Sequence, residues 1–301
     1  MNRLHRVDPG DGKREILRPG IAWNSITSMC TLQEHLYVIE NNRLHRVFPD
    51  GRYEVLGAPD WDGPTWMAAL NDHLFVIHHD KLHRVNPDDG EKVMLRGDIS
   101  WPATTSMTAL QDHLYVIGNK LLHQVNPELG TYELIIRPHW QGETWMAALH
   151  EHLFIVQNDR LRRVNPKSGE EQVLGGNTSW ATTTSMTALQ DHLYIIENDR
   201  LHRVDPETGT YDVLGRPDWI GQSFMTALND RLYVIYDRLS DIQLEDLKVF
   251  VEGPGGIYLE GQVFARELLV GSHAVGDVLA RLLNEMADLQ ERVTTLESVK
   301  N

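Results

Sequence analysis

The chain has 301 residues, a net charge of −15 at pH 7 and a pI near 5.4. This length allows a large buried core, whereas the acidic balance argues against a protein that tracks nucleic-acid phosphates or binds an anionic membrane surface. The single cysteine, Cys30, excludes an internal disulfide framework. Because the N-terminal sequence MNRLHRVDPG lacks an apolar signal stretch and no run of about 18 apolar residues occurs, we expect no membrane insertion, and a location in the cytoplasm or release without an ordinary signal.

Two short motifs recur along the first 240 residues or so. The motif LHRV, or a close variant, begins at six leucines that are 38 to 40 residues apart: Leu4, Leu44, Leu82, Leu122, Leu161 and Leu201. A tryptophan followed six residues later by methionine occurs at Trp23, Trp61, Trp101, Trp140, Trp180 and Trp219. A period near 40 residues built of short β segments is typical of a propeller or a solenoid.

One repeat divides into four predicted strands joined by short turns. The strands are SMTAL (185–189), HLYIIE (192–197), RLHRVDP (200–206) and TYDVLG (210–215). Asn, Asp and Gly occupy the turns, where positive φ is needed, and no apolar period of 3.6 residues favours helices. The sequence therefore predicts an all-β, six-bladed propeller over residues 1–238, with a last blade completed by strands from both ends of this region.

The core LYVI…RLHRVDPETGTY of each repeat resembles the kelch and tectonin-type propeller repeats, over roughly residues 1–238. The double glycine of kelch strands is absent. The resemblance implies a propeller architecture. Tectonin-like members include lectins, so it also implies carbohydrate binding as one candidate function, although such folds host enzymes and scaffolds as well.

The blades alternate between two sequence types. The segments from Trp23, Trp101 and Trp180 read WNSITSM, WPATTSM and WATTTSM, whereas those from Trp61, Trp140 and Trp219 read WDGPTWM, WQGETWM and WIGQSFM. The duplicated unit is therefore a pair of blades, repeated three times. Such a ring has pseudo-threefold symmetry and two kinds of inter-blade cleft, with three copies of each.

The Trp segments are the candidate ligand sites. Each connects one blade to the next, so we expect all of them on the rim that also carries the Asn–Asp turns. The first Trp of each segment is common to all blades and is open to either blade packing or ligand contact. The second aromatic alternates, as a sugar-stacking platform would, with polar and glycine neighbours to bind hydroxyls. The candidate glycan-binding residues are Trp23, Trp61, Gly63, Trp66, Trp101, Trp140, Gln141, Gly142, Glu143, Trp145, Trp180, Trp219, Gly221 and Phe224.

The histidines recur once per blade on the second and third strands and are expected to be spread round the ring. A metal site needs three or four ligands at one point, so the sequence predicts no metal and no cofactor. The DPGDG and NPDDG segments lack the glutamate of a calcium loop and are explained as hairpin turns. No nucleophile elbow, Cys–His pair or phosphate loop occurs, so no catalytic residue is predicted.

Two further segments follow the repeats. Residues 239–272 alternate in β fashion and are predicted to form a short β-rich connector. A 4-3-4-3 apolar spacing then runs through Val275, Leu279, Leu282, Met286, Leu289, Val293 and Leu296. This heptad pattern predicts a coiled-coil oligomerisation helix over residues 273–301, with a trimer favoured; the alternative is a helix that docks on its own propeller.

Repeated sites joined to an oligomerising stalk suit a multivalent binder, since linked weak sites gain avidity. The first hypothesis is a lectin, of the haemagglutinin kind, that cross-links glycans. The second is a protein-interaction scaffold that uses the same rim. The third, least supported by the sequence, is a hydrolase or lactonase with a metal in the central channel.

Overall fold

A computed structural model describes residues 2–136, 140, 142–176, 178–217, 219–236, 248–251 and 257–260, with the backbone alone at 136, 248–251 and 257–260. The chain divides into two compact units, Met1–Asp241 and Ile242–Asn301. The first unit contains six antiparallel four-stranded sheets, which confirms the predicted propeller.

Each of the first three blades is a simple four-stranded meander. Blade 1 consists of β3 (Ile26–Leu32), β4 (His35–Glu40), β5 (Arg43–Val47) and β6 (Tyr53–Leu56). Blade 2 consists of β7 (Thr65–Leu70), β8 (His73–His78), β9 (Lys81–Val85) and β10 (Lys92–Met94). Blade 3 consists of β11 (Ser106–Leu110), β12 (His113–Gly118), β13 (Leu121–Val125) and β14 (Tyr132–Ile136).

Blades 4 and 5 repeat this order, and blade 6 is composite. Blade 4 consists of β15 (Trp145–Leu149), β16 (His152–Gln157), β17 (Arg160–Val164) and β18 (Glu171–Leu174). Blade 5 consists of β19 (Thr183–Leu189), β20 (His192–Glu197), β21 (Arg200–Val204) and β22 (Tyr211–Leu214). Blade 6 joins β23 (Ser223–Leu228) and β24 (Arg231–Tyr236) to β1 (Arg3–Val7) and β2 (Arg14–Leu17).

Blade 6 closes the ring as the sequence predicts. Strand β24 pairs with β1 over five consecutive residue pairs, from Arg3 opposite Tyr236 to Val7 opposite Leu232. The six inner strands then contact one another in a cycle that runs β3, β7, β11, β15, β19, β23 and back to β3. Six clusters of buried apolar side chains fill the interfaces between the blades as described, and each cluster contains one of the six repeated tryptophans.

The hairpins between second and third strands explain where the tryptophans lie. Each is a two-residue turn with both residues at positive φ, such as Asn198 (49°) and Asp199 (60°), which is the geometry that Asn and Asp tolerate best. The backbone carbonyl of Asp199 accepts a hydrogen bond from the amide of Trp219 at 3.1 Å. The equivalent bond occurs at all six tryptophans, so they share the turn-bearing rim, as predicted.

The second unit contributes one described element, an antiparallel pair of β25 (Lys248–Val251) and β26 (Ile257–Glu260). This hairpin falls within the predicted β-rich connector. The predicted coiled coil at 273–301 lies outside the described residues, and the domain boundaries at 238 and 272 stay predictions. No helix in the described part of the chain is long and apolar enough to cross a membrane.

Candidate functional site

The first tryptophan of every segment is buried between blades. The six indoles are only 1 to 3 % exposed and belong to the interface clusters: Trp23, Trp61, Trp101, Trp140, Trp180 and Trp219. Five of their backbone amides tie the connection to the turn of the preceding blade, and the Trp23 amide bonds the carbonyl of Asn2, just before β1. Of the two roles that the sequence left open, burial therefore favours packing, because no indole face is available for a sugar to stack on.

The partners of these tryptophans alternate with the blades. In blades 1, 3 and 5 the indole meets a histidine of the third strand and a tyrosine of the fourth, as in Trp101, His123 and Tyr132, whose ring centroids lie 5.1 to 5.5 Å apart. In blades 2 and 6 a cation replaces the tyrosine. Lys92 Nζ lies 4.1 Å from the ring centroid of Trp61, and the Arg14 guanidinium carbon 4.8 Å from that of Trp219.

A central channel of about 1100 Å³ is the candidate functional site. Its wall is formed by the first residues of the six inner strands and by the connections that precede them. The second aromatic of the even blades, Trp66, Trp145 and Phe224, lies in this wall. The sequence predicted three copies of the aromatic site on a rim, and the fold brings all three to one channel.

Hydroxyl groups join each odd blade to the even blade that follows. The Thr27 and Thr65 hydroxyl oxygens lie 2.6 Å apart across the interface between blades 1 and 2, and Ser28 Oγ lies 2.9 Å from Thr65 Oγ1. The two equivalent pairs, each with an O···O distance of 2.6 Å, are Thr105 with Thr144 and Thr184 with Ser223. One bond between two hydroxyls uses one of their two protons, so the Thr105–Thr144 and Thr184–Ser223 pairs each retain a donor as well as lone pairs, and the three hydroxyls of Thr27, Ser28 and Thr65 retain one proton between them.

The second aromatics pack on the opposite side, against the odd blade that follows. Trp66 packs on the cluster between blades 2 and 3, Trp145 on that between blades 4 and 5, and Phe224 on that between blades 6 and 1. All three are only partly buried. They therefore fill one kind of interface and also present surface to the channel, which explains why they alternate.

The remaining predicted site residues differ in where they lie. Glu143 is exposed, and it is the only charged residue among the described residues of the channel wall. Gly63, Gly142 and Gly221 have φ of 80°, 77° and 91°, a backbone conformation that favours glycine. Gln141 lies outside the described residues.

One cluster that the sequence analysis missed lies at blade 2. Asp62, His78 and His79 place three ligand-type atoms within 4.8 Å of one another. His78 is buried, its Nε2 lies 2.6 Å from the Asp62 carbonyl oxygen, and desolvation lowers its pKa. The available signal was the only His–His dipeptide of the chain, which the once-per-blade pattern of the other histidines hid.

No family model and no curated protein matches this sequence, so the resemblance to kelch and tectonin-type repeats stays a prediction. Solved structures share the fold. The nidogen/laminin complex structure matches with a TM-score of 0.53 and 14 % identity, covering 72 % of this chain and 94 % of that one. A streptogramin B lyase matches with a TM-score of 0.55 and 12 % identity, covering 78 % and 86 %.

A third similar structure is a catalytically inactive histidine-to-alanine variant of virginiamycin B lyase from Staphylococcus aureus with quinupristin. It has a TM-score of 0.53 and 14 % identity, and the match covers 76 % of this chain and 86 % of that one. At these identities the likeness shows the propeller fold alone. It is compatible with a binding scaffold and with a lyase-type propeller, since one fold hosts unrelated functions.

Proposed function

We propose that the protein is a lectin that binds an uncharged glycan in its central channel. The observation that carries the proposal is the alternation of three aromatic side chains, Trp66, Trp145 and Phe224, with three hydroxyl pairs round one channel. An aromatic ring stacks on the apolar face of a pyranose. Serine and threonine hydroxyls both donate and accept hydrogen bonds, as sugar hydroxyls do.

The charge of the channel supports a neutral ligand. Glu143 is the one charged side chain in its described wall, so a phosphorylated or carboxylated ligand would find no cation there to pair with. The same scarcity of ionisable groups argues for binding over acid–base catalysis, which needs titratable side chains at the reacting atoms. No catalytic residue is therefore part of the proposal.

The proposal is tested with a glycan array on the full-length protein, followed by titration of the best glycan. We expect Trp66→Ala and Trp145→Ala each to weaken binding by about tenfold or more, which corresponds to about 1.4 kcal/mol. Leu129→Ala is the control, because Leu129 is 61 % exposed in the turn after β13, outside the channel wall. Absence of any glycan binding, or unchanged affinity in both tryptophan variants, would overturn the proposal.

Multivalency is the second part of the proposal and rests on the C-terminal segment. Since the three aromatics share one channel, each propeller offers one composite site, and cross-linking requires that chains associate, with a trimer favoured. A chain truncated at Ser240 should be monomeric by light scattering and should bind glycan without agglutinating cells. A truncated chain that keeps the oligomer size of the full-length protein would contradict this part alone.

Protein scaffolding is the alternative function, since the propeller fold that this chain shares with the nidogen/laminin complex structure and with the two lyase structures can serve binding as well as catalysis. The exposed apolar side chain of Ile220, 47 % accessible on the connection into blade 6, offers contact surface on the same rim. A negative glycan array, together with a polypeptide partner whose binding is lost in Ile220→Asp and retained in Leu129→Ala, would favour the scaffold.

A further inference from the structure

The histidine pair of blade 2 departs from the repeat at three positions at once. The residues that correspond to His79 in the hairpins of blades 1, 3, 4 and 5 are asparagines: Asn41, Asn119, Asn158 and Asn198. His78 corresponds to Glu40 in blade 1 and to Glu197 in blade 5, and Asp62 to Asn24 and Ala181. Only blade 2 therefore brings two imidazoles and a carboxylate to this place, among the blades as described.

Two distances within the cluster match those between ligands of one metal ion. His78 Nε2 lies 3.5 Å from Asp62 Oδ1, and His79 Nε2 lies 3.5 Å from Asp62 Oδ2. Two ligand atoms bound at 2.0 to 2.1 Å to a tetrahedral ion are separated by about 3.4 Å. The two imidazole rings are stacked, with centroids 3.9 Å apart and an interplanar angle of 25°, so both rings present Nε2 to the same carboxylate.

We propose that Asp62, His78 and His79 form a binding site for one late first-row divalent cation such as Zn²⁺. Two neutral imidazoles and one carboxylate suit Zn²⁺, Cu²⁺ or Ni²⁺, whereas Mg²⁺ and Ca²⁺ prefer oxygen ligands alone. Three protein ligands leave at least one coordination position for water or another ligand.

The two histidines contribute differently to such a site. The His78 side chain is only 6 % exposed, so its ring is held in place by its surroundings. Its Nε2 now bonds the Asp62 carbonyl. To bind the ion, Nε2 gives up this hydrogen bond and the ring carries its proton on Nδ1. The side chains of His79 and Asp62 are 63 % and 65 % exposed, so both are free to close on the ion. The site therefore combines one fixed ligand with two adjustable ones.

The site adjoins the central channel without sharing its ligands. Gly63, the neighbour of Asp62 in sequence, lies in the channel wall, and an atom added at its Cβ position would be 3.9 Å from His79 Nε2. Asp62, His78 and His79 themselves are not part of the described channel wall, so the metal proposal does not require that a glycan binds there, and the two proposals are tested separately.

A purely structural role is the competing explanation for these residues. In blade 1 the corresponding Glu40 carboxylate accepts a hydrogen bond from the backbone amide of Asn24 at 2.8 Å. In blade 5 the Thr182 hydroxyl donates a hydrogen bond to the Glu197 carboxylate at 2.9 Å. His78 makes the equivalent tether to the Asp62 carbonyl. This role accounts for His78 alone, since neither the Asp62 carboxylate nor the exposed His79 ring is needed for it.

The test is titration of the full-length, chelator-treated protein with ZnCl₂ by calorimetry, and with CoCl₂ by visible absorption. We expect one saturable site per chain, and at least about a tenfold loss of affinity in both His79→Ala and Asp62→Asn. The matched control is His150→Ala. Nε2 of the exposed His150 also lies 3.5 Å from a carboxylate oxygen of Asp191, but among the described residues no second histidine completes a metal-ligand group there.

The outcomes separate the two explanations. Loss of the site in His79→Ala and Asp62→Asn with retention in His150→Ala supports the proposal. Absence of saturable binding, or wild-type affinity in either of the two variants, overturns it. An unfolding transition at the wild-type temperature in both variants, which alter exposed side chains, shows that any loss is local.

Discussion

The hydroxyl oxygens of Thr27 and Thr65 lie 2.6 Å apart across the interface between blades 1 and 2. Thr65 is 3 % exposed, and Ser28 supplies a second hydroxyl to it at 2.9 Å. At the corresponding interface between blades 3 and 4, Thr144 is also buried but is joined by Thr105. Two interfaces of one design thus differ by a single hydrogen bond.

This difference predicts a graded loss of stability. Thr65→Val keeps the shape of the side chain but leaves two hydroxyls without their buried partner, so we expect a loss of about 2 kcal/mol in the free energy of unfolding. Thr144→Val removes one such bond and should cost about 1 kcal/mol. Urea denaturation measures both. Equal losses would show that the Ser28–Thr65 bond contributes nothing.

The two tryptophans of one segment should separate packing from binding. Trp61 is 2 % exposed in its interface, so Trp61→Ala leaves a large cavity and should cost about 3 to 5 kcal/mol. Trp66 is only partly buried in the channel wall. Compared with Trp61→Ala, Trp66→Ala should therefore cost less stability and weaken glycan binding more. Thermal unfolding and glycan titration of the two variants provide the measurements. A larger stability loss in Trp66→Ala would contradict the roles assigned here.

The third channel aromatic offers a gain-of-function test. Phe224 stands where blades 2 and 4 have tryptophan, so its ring presents less surface to the channel. Phe224→Trp should tighten glycan binding by severalfold, since it extends the stacking surface and makes the ring of three aromatics uniform. The control is Phe224→Leu, which should weaken glycan binding by a similar factor. Titration of one glycan against both variants decides the point, and unchanged affinity in both would exclude Phe224 from the site.

The repeat made most of the fold predictable from the sequence. The spacing of LHRV and of Trp–Met set the number of blades, and the Asn–Asp turns set the register of β20 and β21, with Ile195 opposite His202. The convergence of Trp66, Trp145 and Phe224 in one channel could not be read in the same way. It depends on how closely the inner strands approach the axis, which is decided by packing between blades.

The departure of one blade from the repeat was harder still to interpret. Most histidines recur once per blade, so the repeat pattern groups all of them together and does not single out His79. His79 differs because it occupies a hairpin position that elsewhere holds asparagine, and its significance depends on Asp62, 17 residues earlier. Only the folded connection shows that these two side chains meet.

The buried histidine of blade 3 predicts how stability depends on pH. Desolvation lowers the pKa of His123 below the ordinary value of 6.5, although a backbone hydrogen bond at Gly118 opposes the shift. The ring is 8 % exposed between Trp101 and Tyr132. Since the unfolded chain takes up this proton more readily, the free energy of unfolding should fall as the pH drops below about 6.5 towards the lower folded-state pKa.

The variant His123→Phe keeps an aromatic ring between Trp101 and Tyr132 and removes the titrating group. It also removes the buried Nδ1, which has no hydrogen-bond partner among the described residues. We therefore expect His123→Phe to gain stability relative to the wild type at pH 5, and to gain less at pH 8, where His123 is neutral in both states. Urea unfolding of the two proteins at both pH values tests this, with pH 8 as the internal reference. The same difference in free energy at both pH values would show that His123 titrates alike in the folded and unfolded chain.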